Sequence, residues 1–600
     1  MQCVLRDKFR LYPNAEDDYD VTLYEDSLVF EPCVKGKGLA QYRARTAVKL
    51  EDVIGCHVMR VAENATGLKK SVSYFCVYAY HLVPKKKNNL CQRRQKRTYV
   101  FSVDQSGEYE ANLAVSRVWQ SAFLWLLRGV KPERGGDGRA FIPAELPAQR
   151  HYLVIVNPKS GPGRSLEIFL HRVRPILAEA DISHLLLVTE RRNHARDFIK
   201  NLQLNQWSGI IIISGDGLLY EVYNGLMERP DWELAIKIPI GMIPGGSGNG
   251  LARTISHAAN EPYVSDPILA STLGIAKGRV APLDLMKVET PSGPLYSFLN
   301  VGWGIMADID IESEKLRAIG EIRFTLWAFW RVFNLRTYSG RISYLPASEK
   351  MVKRSNGVIS RLMTPSRNGP TPPRNRSSGA DLGDLCGQNG NARTLNRSES
   401  APEGHSAGDY GTSRSAENEA AMEKATERAV PGGAEDQASP PVTGEELPPE
   451  LELVADSSVG RMPGPEPQEP TLSTPEWFPA LTDPVPDDWT VEEGRFIICY
   501  SSMVSHLGTN LFIAPESQLD DGIAWLLIIR GEVSRLQVLS YFKAQEAGHH
   551  VDLPFVRLIP VRAFRLETFS DSTITVDGEQ VKTRILQARV LPSLGRILTF

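Results

Sequence analysis

Asp216 stands between two glycines at the end of four consecutive isoleucines, in IIIISGDGLLYEVYNG, residues 210–225. A buried strand ending at Ser214, with a helix from Leu218, would place this acid beyond the carboxyl end of a parallel strand. That is where ligands of open α/β sheets bind. Gly215 and Gly217 would let a ligand approach the backbone closely. The helix start would offer free N–H groups to phosphate, and the Asp216 carboxylate could accept a proton beside it. An aspartate capping a tight strand-to-helix turn has the same pattern, so this stretch alone leaves both readings open. A second loop favours the ligand. IGMIPGGSGNGLA, residues 240–252, repeats strand, glycine loop and helix. The amides of Gly245, Gly246 and Gly248, with Ser247 and Asn249, suit phosphate oxygens. VNPKSGPG, residues 156–163, ends a further strand, and the three loops together predict a nucleotide cleft. The chain lacks G-x-x-x-x-G-K-[ST] and the H-R-D and D-F-G pair, which argues against P-loop enzymes and protein kinases. No G-x-G-x-x-G opens the first βα turn, which argues against a dinucleotide oxidoreductase.

Three further stretches carry chemistry. Asp308 and Asp310 each offer a carboxylate to an ammonium; spacing does not separate them, and either could instead serve as an acid at a helix N-terminus. RFTLWAFWRVFNLRTY, residues 323–338, mixes aromatics with arginines. It suits a lipid pocket, a membrane surface or a calmodulin-like partner, or a core helix with its arginines snorkelling outward. KKKNNLCQRRQKR, residues 85–97, holds seven basic residues between two strands. A hairpin loop this basic suits a nuclear import receptor or anionic lipid, against the alternative of a solvated loop.

The elements that must position these groups follow from composition and periodicity. At 600 residues the chain exceeds one core. A net charge of −3 gives no global attraction to nucleic acid, and no direct nucleic-acid contact is expected. The seven cysteines lack metal-ligand spacing and read as reduced thiols. No leader segment is evident at the start, and no apolar run approaches the ~20 residues of a membrane span, so membrane contact is expected to be peripheral. Residues 1–130 alternate like strands before one tryptophan-bearing helix, suggesting a β-rich, pleckstrin-homology-like domain. Residues 149–280 alternate buried strands and helices, predicting an α/β domain with a parallel sheet. Strands dominate 281–346 and 486–600, predicting one β-sandwich assembled from both sides of an insertion. Residues 347–485 are rich in Pro, Ser, Gly, Asn and Glu, a composition that predicts disorder.

SGDGLLYEVYNGL, PGGSGN and NPKSGPG together resemble the diacylglycerol-kinase catalytic domain of lipid kinases, several separated motifs matching in order. VTERRNHARDF (Val188–Phe198), ADIDIESEKLRAIGEIRFTL and TVDGEQ narrow the resemblance to the sphingosine kinases. The long amino-terminal extension and proline-rich insertion look like the type 2 form. The resemblance covers about 150–345 and 485–600. It implies an ATP-dependent kinase that phosphorylates the primary hydroxyl of sphingosine and related sphingoid bases, with Mg²⁺ as cofactor. It also implies an ATP-binding α/β domain joined to a lipid-holding β-sandwich. By this resemblance the nucleotide would meet Asn157, Pro158 and Lys159, then Thr189, Glu190, Arg191, Arg192 and Asn193. It would also meet Ser214, Glu221, Gly246, Ser247 and Gly248. Arg317 and Arg323 would approach its phosphates, and Asp577, Gly578 and Glu579 would return to the adenosine. Asp216 resembles the catalytic acid. The lipid would meet Ser214, Gly215, Asp216 and Gly217, with Asp310 holding its polar head. Mg²⁺ needs no dedicated carboxylate cage, since it keeps waters and leans on phosphates. The expected location is cytoplasmic and peripheral to membranes, with nuclear access.

Overall fold

The computed structural model describes residues 2–12, 17–33, 45–59, 70–85, 88–134, 140–143, 145–320, 322–352 and 473–600. Seven antiparallel strands, from Cys3–Tyr12 to Asn88–Val103, form the first sheet, in the order fourth, third, second, first, seventh, sixth, fifth. The helix Tyr109–Leu127 covers it. Trp119 is fully buried there, between Phe9 and Phe75, and its Nε1 donates to Asp7 Oδ2 at 2.8 Å. The expected helix over a β-rich unit therefore has a defined anchor, a large ring whose one polar atom is satisfied.

The basic run is not the free loop that its composition suggests. Strand pairing continues through Arg93–Arg97, opposite Leu82, Val83 and Ala79–His81. Arg94 bonds Asp52 at 2.5 Å and Glu261 at 2.5 and 2.9 Å, while Lys96 pairs with Glu179. Both carboxylates, Glu179 and Glu261, belong to the α/β domain. Two of the seven basic residues, Arg94 and Lys96, thus fasten one domain to the next. Gly55 allows the approach: a Cβ there would lie 1.8 Å from the Glu179 carbonyl oxygen.

In the α/β region the strands Arg150–Val156, Ile182–Val188, Gly209–Ser214 and Ile240–Pro244 pair in parallel. Ile210 and Ile212 enter one core, while Ile211 and Ile213 enter the core on the opposite face. With both faces covered, the strand reads as a continuous apolar run rather than an alternation. The sheet does not end with this domain. Ile240 pairs in parallel with Ile597, on the strand Ile585–Thr599. That strand also runs antiparallel to Arg279–Thr290 and Arg557–Thr568. One sheet therefore connects the α/β half to the β-sandwich half.

The sandwich is assembled from both sides of the insertion. Tyr338–Pro346 pairs with Thr490–Ser502, from Tyr338 opposite Phe496 to Tyr344 opposite Thr490. The expected disordered segment 347–485 is too long at both ends. Residues 349–352 are helical. Residues 473–489 form a strap, with Phe478 and Trp489 buried beside Ala563. Arg565 donates to the carbonyls of Ala480 and Asp483, Gln587 to that of Pro479 and Arg589 to that of Ser473. Composition concealed the strap, because its many prolines need few backbone partners and three side chains of the sheet supply them. The remainder, 353–472, lies outside the described residues.

Candidate active site

Three glycine loops meet where the parallel strands end. Gly215 and Gly246 touch so closely that a Cβ on Gly246 would lie 2.4 Å from Gly215 Cα. No larger residue fits that crossing. Ser160 Oγ accepts from Gly215 N at 3.0 Å and bonds Ser214 Oγ at 3.1 Å. Asn249 closes its own loop, donating to Gly246 O and accepting from Gly246 N. Asp216 opens the helix Asp216–Met227. Its Oδ2 accepts from Gly250 N at 2.9 Å, and its own N–H donates to Gly248 O at 3.2 Å. Asp216 therefore braces the neighbouring loop as well as starting its own helix. Ser247 is buried, and its Oγ has no hydrogen-bond partner. A buried hydroxyl left in this way costs about 1–3 kcal/mol unless a ligand supplies the partner, and a phosphate oxygen would.

The 189–193 turn forms the next wall. Thr189 Oγ1 donates to Val156 O. Asn193, in the left-handed region at φ 61°, donates its N–H to Glu221 Oε1 at 2.9 Å. Burial raises the Glu221 pKa against the backbone donors that lower it. Arg191 pairs with Asp197 at 2.8 Å. Arg192 pairs with Glu579, 387 positions away in sequence, and Glu579 Oε1 stands 3.3 Å from where a Gly217 Cβ would be. The structure thus brings together the ends of all four parallel strands and the late turn. Asn157 Oδ1 accepts from Lys159 N at 3.0 Å, beside Pro158, with Lys159 exposed.

Asp577 departs from its expected role. Its buried carboxylate accepts from Ser297 Oγ at 2.5 Å and from the N–H groups of Asn300, Phe298 and Leu299 at 2.9–3.1 Å. Burial raises its pKa to about 6, against these donors. A carboxylate so occupied cannot also grip adenosine; it pins the 297–300 turn. Gly578 and Glu579 are what it presents, and a Gly578 Cβ would stand 3.4 Å from Asp310 Oδ2.

The structure also separates the two aspartates of the helix Ile305–Glu312. Asp308 is buried and committed: Tyr338 donates to its Oδ2 at 2.5 Å, and Arg331 Nη2 lies at 3.2 Å. Asp310 faces the cleft. Burial of its carboxyl raises its pKa to about 7; Arg323 opposes the rise, and Glu314, Glu579 and Asp216 add to it. Two of the three arginines of the 323–338 stretch do not snorkel, and only Arg336 is exposed. Arg323 and Arg331 are buried, whereas Ile322, Leu326, Phe329, Trp330 and Phe333 are each at least half exposed. The inward acids reverse the expected orientation, Glu312 and Asp308 holding Arg331. Arg317 lies in the turn Ser313–Ile319, and its side chain is outside the described residues. Ser160 and the Gly250 N–H were not singled out from sequence; the serine's place in a glycine loop was the available signal.

Comparison with known proteins accords with this geometry. Residues 151–288 match the diacylglycerol kinase catalytic domain, and residues 490–599 match the YegS C-terminal NAD kinase beta sandwich-like domain. The two matches fall on the glycine-loop half and the sandwich half, and define a lipid kinase. Sphingosine kinase 2 of Homo sapiens is 35% identical over 99% of this chain and 91% of its own length. Sphingosine kinase 1 of Homo sapiens is 32% identical, over 75% of this chain and 90% of its own. Sphingoid long chain base kinase 4 of Schizosaccharomyces pombe is 39% identical over 31% of this chain and 39% of its own. The chain belongs to the sphingosine kinase family.

Proposed function

We propose that this chain transfers the γ-phosphoryl group of ATP to the primary hydroxyl of sphingosine and related sphingoid bases, giving sphingosine 1-phosphate and ADP. The observation that carries the site assignment is the junction at Asp216, where the acid, two glycine loops and the late Glu579 converge. The triphosphate lies against the loop amides of Gly246 and Gly248 and the Ser247 hydroxyl, with Arg323, Arg317 and Lys159 as cations. Adenosine lies toward Thr189–Asn193, Glu221 and Glu579. Asp216 accepts the proton of the attacking hydroxyl as its oxygen bonds phosphorus and the bond to ADP breaks. The N–H of Gly250 fixes the carboxylate's orientation for that step. Asp310 binds the ammonium, which sphingoid bases carry and diacylglycerol and ceramide lack.

Mg²⁺ suits this donor set, which is rich in hard carboxylate oxygen. Among the described residues no three His, Cys, Asp or Glu side chains cluster to hold an ion. The ion would rest on the phosphates and water, with Asp216 able to offer it a carboxylate oxygen, and would neutralise phosphate charge.

The exposed apolar row from Ile322 to Phe333 supports peripheral membrane contact beside the lipid entrance. A calmodulin-like partner is the weaker reading for 323–338, since such targets present several basic residues outward, whereas Arg323 and Arg331 are turned inward and only Arg336 is exposed. The amino-terminal sheet and its closing helix support a pleckstrin-homology-like unit. A nuclear import receptor at 85–97 would compete with the Arg94 and Lys96 pairs, so nuclear access requires the hairpin to come free. The enzyme is otherwise cytoplasmic. The testing experiment is radiolabel transfer from ATP to sphingosine, dihydrosphingosine, ceramide and diacylglycerol side by side. Label should appear in the two free bases, and labelling confined to ceramide or diacylglycerol would refute the assignment.

A further inference from the structure

Resting on the sphingoid-base reading, we propose that Tyr500 and Thr575, meeting over Gly302, recognise a hydroxyl on the lipid chain beyond its amine-bearing carbon. Bases hydroxylated at C4 are then favoured substrates. The two residues sit on strands flanking Asn300–Gly304, and Gly302 is opposite both Tyr500 and Thr575. Side chains alternate across these strands. Val301, Trp303, Cys499, Ile574 and Val576 enter the core of the sandwich. Gly302, Tyr500 and Thr575 therefore turn to the other face, and Tyr500 belongs to the core cluster that also holds Ile309, Met306 and Leu507. A Cβ on Gly302 would lie 2.7 Å from the Tyr500 ring and 2.8 Å from Thr575 Oγ1. The ring and the hydroxyl share the space that glycine leaves.

The wall of a site for a hydrocarbon chain has no need of hydroxyls. Yet Thr575 is fully buried and its Oγ1 has no hydrogen-bond partner. Tyr541, whose hydroxyl is likewise buried without a partner, is close enough to act on Tyr500. Burial raises the Tyr500 pKa well above its usual value, and Asp310, Asp577, Tyr541 and Asp216 raise it further, which sets the hydroxyl among the carboxylates of the active site. Valine and phenylalanine would fill the same volumes at no polar cost. A ligand hydroxyl, able to donate and to accept, gives Thr575 Oγ1 the partner it lacks and can bond the Tyr500 hydroxyl as well.

The C4 carbon lies within reach. Asp310 lies against Gly578, three residues beyond Thr575 and in the turn that pairs Val576 with Glu579, so the two contacts stand no more than roughly 10 Å apart. A carboxylate–amine contact, two carbon–carbon steps and a hydroxyl contact cover about that distance. The C3 hydroxyl, adjacent to the amine carbon, stays nearer Asp310.

The test compares kcat/KM for sphinganine and 4-hydroxysphinganine in the wild-type chain, in Tyr500→Phe, in Thr575→Val and in the double variant. Both changes keep shape and remove only the hydroxyl. The wild type should favour 4-hydroxysphinganine, and each variant should lower the ratio of the two bases by roughly 3- to 10-fold, the worth of one neutral hydrogen bond. A ratio that is the same in all four proteins, or a wild type without the preference, overturns the proposal. Sphinganine turnover by the wild type separately reads the underlying activity; its absence would remove the sphingoid-base reading and this proposal with it.

Discussion

Replacing Asp310 with Asn keeps its shape and removes its charge. A charge-assisted hydrogen bond of about 1.5–3 kcal/mol is lost, so the sphingosine KM should rise roughly ten- to a hundredfold while the ATP KM stays near its original value. With a pKa of about 7 before lipid binds, Asp310 is neutral below that pH and charged above it. The wild-type sphingosine KM should therefore rise as pH falls from 8 to 6, and Asp310→Asn should flatten that profile; an unchanged KM in the variant would sink the head-group role. Asp308→Asn should act elsewhere, weakening the hold on buried Arg331. Glu312 remains as a partner, so the expected loss is about 1–3 kcal/mol of stability, read as a lower Tm with little change in sphingosine KM. Asp216→Asn should leave ATP affinity near normal and cut kcat by roughly 100-fold or more. Near-normal turnover in the folded variant would rule out the general base.

The glycine-loop strands and the helices after them were legible because both signals, continuous apolar runs and glycine punctuation, are local. The choice between Asp308 and Asp310 was not, since it depends on Tyr338 and Arg331 from other elements. The occupied carboxylate of Asp577 depends on the 297–300 turn, some 280 positions earlier. The strap was missed for the same reason: its partners, Arg565, Gln587 and Arg589, lie on strands that follow it. The strap sets a boundary for deletion. Composition predicts that removing about 355–480 preserves lipid phosphorylation, but that cut takes the buried Phe478, so the cut expected to preserve it stops at 470. Extending the cut through 489 also removes Phe478 and Trp489, each buried and each worth about 3–5 kcal/mol when truncated. That longer deletion should lower Tm sharply or fail to fold, whereas equal stability of the two deletions would show that the strap is dispensable.

At the scale of the molecule, Arg94 joins the amino-terminal sheet to the catalytic half through Asp52 and Glu261. Arg94→Ala would leave both acids without their shared cation, a loss of about 3–5 kcal/mol for a buried pair. The expected result is a separated thermal transition for the amino-terminal domain and faster proteolysis of the chain between residues 130 and 150. A single unchanged transition would mean that the remaining contacts suffice. The pairing of Ile240 with Ile597 also bears on how the protein is made. During synthesis the strand Ile240–Pro244 leaves the ribosome more than 340 residues before its neighbour. Its unpaired edge, backed by a strand of four isoleucines, is open to wrong partners for that interval. At ≈ 5–20 residues per second the wait lasts on the order of tens of seconds, long enough for a chaperone to be the edge's first companion, and no nascent chain can become a kinase until the far strand arrives.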